Sequence, residues 1–92
     1  GMTAVVDRDQ VVKGIFTDGD LRRVIAKGTD LRVTPIRDIM SANPRTIGPD
    51  HLAAEAAEIM ERGKVTQLLV VDDGKKLLGA LNIHDLFRGK VV

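Results

Sequence analysis

The fold turns on the stretch Gly79-Ala80-Leu81-Asn82-Ile83-His84-Asp85-Leu86-Phe87 and on a second stretch of the same form, Gly14-Ile15-Phe16-Thr17-Asp18-Gly19-Asp20-Leu21-Arg22. Each begins as an apolar strand, passes a residue suited to capping a helix (Asn82 or Thr17), and meets an acid three residues later (Asp85 or Asp20). Thr17 and Asp20 have the spacing of a capping box, which is a structural use of such a junction. The other use is recognition. Amides at a helix start attract phosphate, and a nearby carboxylate accepts hydrogen bonds from ribose hydroxyls. A single junction favours the structural use; a repeated one favours a site.

Working outward, the repeat extends well beyond the junctions. Displacing the chain by 65 positions lays residues 3–27 on residues 68–92 without a gap. The identities are Val5/Val70, Val6/Val71, Asp7/Asp72, Gly14/Gly79, Asp20/Asp85, Leu21/Leu86 and Arg23/Arg88. They cluster at strand ends and at the junction, where geometry is most demanding. Thr3–Val6 reads as a strand, Asp7-Arg8-Asp9-Gln10 as a polar turn and Val11–Phe16 as the return strand. In the second copy the strands are Gln67–Val71 and Lys76–Leu81, with Asp73-Gly74 at the tip as the hairpin signal. A helix follows from about Asp18 to Lys27, with Leu21, Val24 and Ile25 on its apolar face and Gly28 placed to stop it.

Between the copies lies a connector, Thr29–Arg45. Pro35 and Pro44 bracket one helical turn at Ile36–Met40, and Thr46-Ile47 reads as a short strand. Gly48-Pro49-Asp50 breaks and caps, and a helix then runs to Arg62 with Leu52, Ala56, Ile59 and Met60 on one face, ended by Gly63. The second unit is therefore strand, helix, strand, strand, helix, whereas the first holds only the last three of these. The division expected is 1–34 and 35–92, and the chain reads as a fragment whose first unit lacks its opening strand and helix. The fold class is α/β (α+β), with small sheets and helices packed on one face.

Composition narrows the function. Ninety-two residues, 43% of them hydrophobic, suit a small domain with a modest core, and Phe16 and Phe87 are the only aromatics, so that core is aliphatic. A net charge of +1 and the shortage of aromatics argue against a nucleic-acid partner. No apolar run approaches the roughly 20 residues of a membrane span. The absence of cysteine suits a reducing compartment, and a cytoplasmic location is the expectation. No Ser-His-Asp set, paired carboxylates or metal-ligand cluster emerges, so the expectation is a non-catalytic module with no metal. His51 and Glu55 share a helix face but make an improbable zinc site without further ligands. Met2, Met40 and Met60 read as core filler, and Arg32, Arg37 and Arg45 as solvated surface. Arg22 and Arg23 fit either a phosphate clamp or a solvated helix face; His84 lies inside the junction or is simply exposed. Ala53, Ala56 and Ala57 form a small-residue face that would permit close approach of a partner helix.

The element order, the run Asp38-Ile39-Met40-Ser41 followed by Pro44, Thr46 and Ile47, and the Gly-x-x-Thr/Asn-x-x-Asp junctions together resemble the CBS domain pair. That resemblance implies tandem motifs packed through their sheets, with adenosyl or other nucleotides in the clefts between them. It implies ribose contacts from Asp20 and Asp85, phosphate or ribose-edge contacts from Thr17 and Asn82, and a base pocket lined by Thr46, Ile47, Met2, Thr3, Thr66 and Gln67. Asn82 stands where Thr or Ser is commoner, and Leu69 and Ala4 or Val5 stand where many members carry proline. A narrower resemblance, through Gly1–Asp7 and Gly14–Arg23, is to bacterial arabinose-5-phosphate isomerases, in which a sugar-isomerase (SIS) domain precedes the CBS pair and serves KDO and lipopolysaccharide synthesis. It implies a regulatory module that needs no cofactor and binds AMP, ADP, ATP or CMP-KDO. Its partners would be its own SIS domain and a second copy, as a homodimer through CBS pairs and a tetramer in the full-length parent. The alternative is a module of the same isomerase that only holds subunits together.

Overall fold

Two β-hairpins of the same build, one in each half of the chain, carry the fold. In a computed structural model that describes residues 1–88, the elements in chain order are β1 (Met2–Val6), β2 (Val12–Thr17), α1 (Asp18–Ala26), a 3-10 turn (Ile36–Asp38), β3 (Ser41–Ala42), β4 (Thr46–Ile47), α2 (Ala53–Gly63), β5 (Gln67–Val71), β6 (Leu77–Asn82) and α3 (Ile83–Arg88). The end of the second repeat copy, residues 89–92, lies outside the described residues. The strands form two three-stranded sheets, ordered β1-β2-β3 and β4-β5-β6.

The repeat seen in the sequence holds in the backbone. β1 pairs antiparallel with β2 from Met2↔Thr17 onward, with a register shift between Val5 and Val6. β5 pairs with β6 from Gln67↔Asn82, with the shift between Val70 and Val71. Each turn is built by its first aspartate. The Asp7 carboxylate accepts from the amides of Asp9 (2.9 Å) and Val11 (3.0 Å), and that of Asp72 from Gly74 (2.9 Å) and Lys76 (2.8 Å). The left-handed residue is Gln10 (φ 67°) in one turn and Lys75 (φ 64°) in the other. Gly74 is therefore not the residue at positive φ, as the Asp-Gly signal implied. Asp72 holds the loop as a turn followed by one left-handed residue, a common hairpin form.

The two units differ in what covers the hairpin. In the second, β4 runs parallel to β5, with Thr46 opposite Leu69 and Ile47 opposite Val70. A parallel neighbour needs a crossover, and α2 supplies it. Ala56 and Met60 of α2 form a buried cluster with Ile47, Leu68 and Leu86. In the first unit Val24 is buried, but Leu21 and Ile25, expected on the same apolar face, are exposed. The contrast is sharpest at one repeat position: Leu86 is 3% exposed and its counterpart Leu21 is 38% exposed.

Two local expectations shift, one at each end of α2. α2 starts later than the Asp50 cap suggested. Leu52 takes the cap position with its side chain exposed, and Glu55 reaches back to the Leu52 amide (3.3 Å). Leu52 therefore does not belong to the core-facing stripe. At the other end of the helix, Lys64 adopts the left-handed turn (φ 53°) after Gly63. By compactness the chain divides into Gly1–Pro44 and Arg45–Val92, with the connector lying beside the first hairpin. The reason is β3, which pairs with β2 at Gly14↔Ala42 and Ile15↔Ser41.

The repeat makes its own control experiment. Leu86→Ala should lower stability by about 2–5 kcal/mol, as buried leucine truncations do. The same change at Leu21 should cost about 1 kcal/mol or less. Urea unfolding of the two variants measures the difference, and equal losses would show that Leu21 is covered as Leu86 is.

Candidate functional site

The junction in the first unit is closed around Asp20. This carboxylate is 4% exposed. Its Oδ2 accepts from the Thr17 amide (2.9 Å) and the Thr17 hydroxyl (3.0 Å), while the Thr17 Oγ1 accepts from the Asp20 amide (3.1 Å). The capping box expected from the spacing is thus complete. Its Oδ1 accepts from the Ser41 hydroxyl (2.9 Å) and is paired with the Arg23 guanidinium (2.8 Å). A carboxylate offers about four acceptor positions, and here all are taken. Arg23 also donates to the Ile39 carbonyl (3.4 Å), which ties α1 to the connector. Arg22 lies exposed on α1. Burial pushes the Asp20 carboxyl up, but the hydrogen bonds from Thr17, Ser41 and Arg23 outweigh it and hold the group below its ordinary value.

The junction in the second unit has the same frame and a different cap. Asp85 Oδ2 accepts from the Asn82 amide (2.9 Å), as Asp20 does from Thr17. The Asn82 side-chain oxygen accepts from the His84 amide (2.7 Å), two residues on rather than three. The longer amide side chain reaches a nearer donor and forms an Asx turn where threonine forms a box. The Ile83 amide donates to the Thr66 carbonyl (2.8 Å), which fastens the helix start to the residue before β5. His84 is exposed and Asp85 half-buried.

A concavity of about 400 Å³ opens beside this junction, lined by Ala57, Met60, Glu61, Lys64, Val65, Thr66 and Ile83. It is apolar with a few polar groups at its border, the usual makeup of a small-molecule pocket. Of the residues singled out for a base pocket, Thr66 lines it. Gln67 begins β5 opposite Asn82. Ile47 is buried in the core and borders a separate cavity of about 290 Å³ with Gly48, Pro49, Leu81 and Leu86 among others. Thr46 is half-buried in β4. Met2, Thr3 and Thr17 line a third concavity of about 310 Å³ in the first unit, with Phe16 and Leu21. Sequence reasoning missed Met60, Glu61 and Lys64 as lining groups. The helix end immediately before β5 was the signal that places them there. It also missed Ser41, whose bond to Asp20 spans the connector and has no local signature. His51 meets Glu55 at 2.8 Å, and among the described residues no cluster of three or more potential metal ligands forms. No helix among them is long and apolar enough to cross a membrane.

Residues 36–91 match the profile of the CBS domain. The chain belongs to the CBS domain family. Its whole length is 47% identical to part of arabinose 5-phosphate isomerase KdsD from Pseudomonas aeruginosa, and it spans 28% of that enzyme. Among solved structures, a putative signal-transduction protein with CBS domains from Burkholderia ambifaria is similar over 99% of this chain and 66% of its own, with TM-score 0.84 and 32% identity. A CBS domain protein from Pyrobaculum aerophilum, complexed with AMP, is similar over 94% of this chain and 66% of its own, with TM-score 0.83 and 28% identity. The mixed fold of small sheets and helices is that of CBS domain pairs.

The lowered pKa of Asp20 links this CBS chain's stability to pH. Its contribution is present above the unfolded-state value near 3.9 and is lost as pH falls through the folded-state value. Asp20→Asn should therefore flatten the loss of first-unit stability below about pH 4, as read by amide exchange or urea unfolding over a pH series. A residual slope is expected from Asp7 and Asp30, which are also held low, Asp7 chiefly by the Val11 amide and Asp30 chiefly by Arg32. An unchanged acid limb would remove Asp20 as its source.

Proposed function

We propose that this chain is a regulatory CBS module that binds an adenine or cytidine nucleotide and adjusts the activity of an attached arabinose-5-phosphate isomerase (SIS) domain. The observation that carries the reading is the concavity formed by the end of α2, Lys64–Thr66 and Ile83, directly beside the Asn82–Asp85 junction. An apolar floor accommodates a base, and the junction offers a carboxylate for the sugar hydroxyls. The AMP-bound CBS protein of P. aerophilum and the likeness to KdsD support the ligand class and the partner.

In this reading Asp85 accepts the ribose hydroxyls, Asn82 and His84 face the phosphate edge, and Thr66 and Gln67 contact the base. Thr46 and Ile47 support the pocket from β4. The first unit is assigned a weaker role. Asp20 already has its acceptors filled by Thr17, Ser41 and Arg23, so a ribose there must displace one of them. Arg22 is the first-unit cation placed to meet a phosphate, and Arg23 becomes one only by releasing Asp20. The candidates are AMP, ADP, ATP and CMP-KDO, the last through feedback from the pathway that arabinose 5-phosphate feeds. We place the module in the cytoplasm, as a homodimer that is part of a larger oligomer. The small-residue face offered for that dimer is used otherwise: Ala56 is buried in the monomer against Met60 and Leu68.

Calorimetric titration with the four nucleotides tests the reading. At least one should bind in the submillimolar range, and no heat at millimolar concentration would argue against it. Asp85→Ala removes a charged acceptor whose bonds are worth about 1.5–3 kcal/mol. Affinity should fall about ten- to a hundredfold, with a smaller change in melting temperature. Lowered stability with unaltered affinity would return Asp85 to a capping role alone.

A further inference from the structure

The second unit holds another cavity, of about 290 Å³, which shares no lining residue with the concavity beside the Asn82–Asp85 junction. Ile47, Ala56 and Leu86 of the buried core line it, and Val70 and Leu81 line it from the sheet. Leu52 stands at the start of α2 and borders it with its side chain left to water, 68% exposed. Among the described residues that line it, His51 brings the one polar side chain. Water in such a space finds too few partners to be well held, so an apolar body gains by replacing it.

His51 is held in place. Its Nδ1 lies 2.8 Å from Glu55 Oε2, one helical turn on. The far edge of the ring faces Gly48, which also lines the cavity: a Cβ on Gly48 would lie 3.4 Å from His51 Cδ2 and 3.8 Å from Nε2. Glu55 is held in turn by the Leu52 amide (3.3 Å), and these contacts, His51 first, keep its carboxyl below its ordinary value. Facing a carboxylate, Nδ1 is the nitrogen that carries the proton. Nε2 is then an acceptor in the neutral ring and a donor in the imidazolium, and among the described residues no protein group bonds to it. The pair thus sets one hydrogen-bonding atom at the border of an otherwise apolar space.

We propose that this cavity binds a small neutral alcohol or phenol, with its apolar body against Ile47, Val70 and Leu81 and its hydroxyl on His51 Nε2. Size and charge select this class. A space of about 290 Å³ lies at the lower end of ligand pockets and suits a single ring rather than a nucleotide. A hydroxyl both donates and accepts, so it matches Nε2 in either protonation state. A carboxylate would stand near the negative charge of Glu55 behind the ring, and no lysine or arginine lines the cavity to offset it. α2 borders this cavity through Ala53 and Ala56 and the nucleotide-sized concavity through Ala57, Met60 and Glu61, so one helix serves both.

The test is a titration of the isotope-labelled chain with phenol, toluene and benzoate, followed at the backbone amides and the His51 ring nitrogens. Phenol should give saturable shifts at Ile47, Gly48, His51–Ala53, Val70, Leu81 and Leu86, with a Kd of about a millimolar or below, within the limit for so small a molecule. The amides of Lys64–Gln67 should stay unmoved. Benzoate should bind about tenfold more weakly or worse. His51→Phe keeps a ring beside Gly48 and removes Nε2. It should weaken phenol by about three- to tenfold, the worth of one hydrogen bond, and leave toluene unaltered. Gly48→Ala fits the fold, since its methyl group meets nothing nearer than 3.4 Å, and by narrowing the cavity it should weaken phenol and toluene alike. Melting temperatures show that each variant is folded. The proposal is overturned if phenol well above millimolar gives no saturable shifts at these residues, or shifts Lys64–Gln67 instead. It is also overturned if benzoate binds as tightly as phenol, if His51→Phe weakens toluene as much as phenol, or if both variants bind phenol as the unaltered chain does.

Discussion

The carboxylate that reaches back across each strand–helix junction is the contact on which the rest depends. Asp20 holds the Thr17 amide and Asp85 holds the Asn82 amide, both at 2.9 Å. Each bond satisfies a donor at the helix start that would otherwise lack a partner and fixes the angle at which the strand turns into its helix. With that angle set, Val24 and Leu86 face their sheets, and the residue before each helix lies beside the start of the paired strand. A nucleotide-sized concavity beside the second junction is a consequence of this turn as much as of the side chains lining it.

The two junctions have diverged from this shared frame. Around Asp20 the protein supplies every hydrogen-bond donor itself, including two from outside the capping box, Ser41 and Arg23. The result is a tie between α1 and the connector. Around Asp85 the cap is asparagine, whose side chain turns to the His84 amide. The same motif thus serves closure in one unit and, in our proposal, recognition in the other. α2 makes the second role possible: it buries Leu86, completes the core and forms one wall of the concavity with Met60, Glu61 and Lys64.

Much of this was legible in the residues. The displacement by 65 positions predicted two hairpins with one register, and both are present down to the irregularity at Val6 and Val71. The capping box at Thr17 and Asp20 followed from spacing alone. What was not legible depends on contacts distant in sequence. Helical periodicity placed Leu21 and Ile25 on an apolar face but could not tell that both stay exposed among the described residues. It counted Leu52 and the Asp50 cap into α2 because period and capping residues do not reveal that Glu55 starts the helix from its third position. Lys75 carries the left-handed turn beside a glycine better suited to it, because Asp72 sets the loop. Ser41 gave no sign of its bond to Asp20. Ala56 looked like a contact for a partner helix and is instead the point where α2 meets its own core.

The central claim is that the second junction and its neighbouring concavity form a nucleotide site. The most direct measurement is a map of amide shifts in the labelled chain on addition of AMP. The account predicts saturable changes concentrated at Lys64–Gln67 and Asn82–Asp85. Saturable changes confined to the first unit, or none at millimolar AMP, ADP, ATP and CMP-KDO, would contradict it.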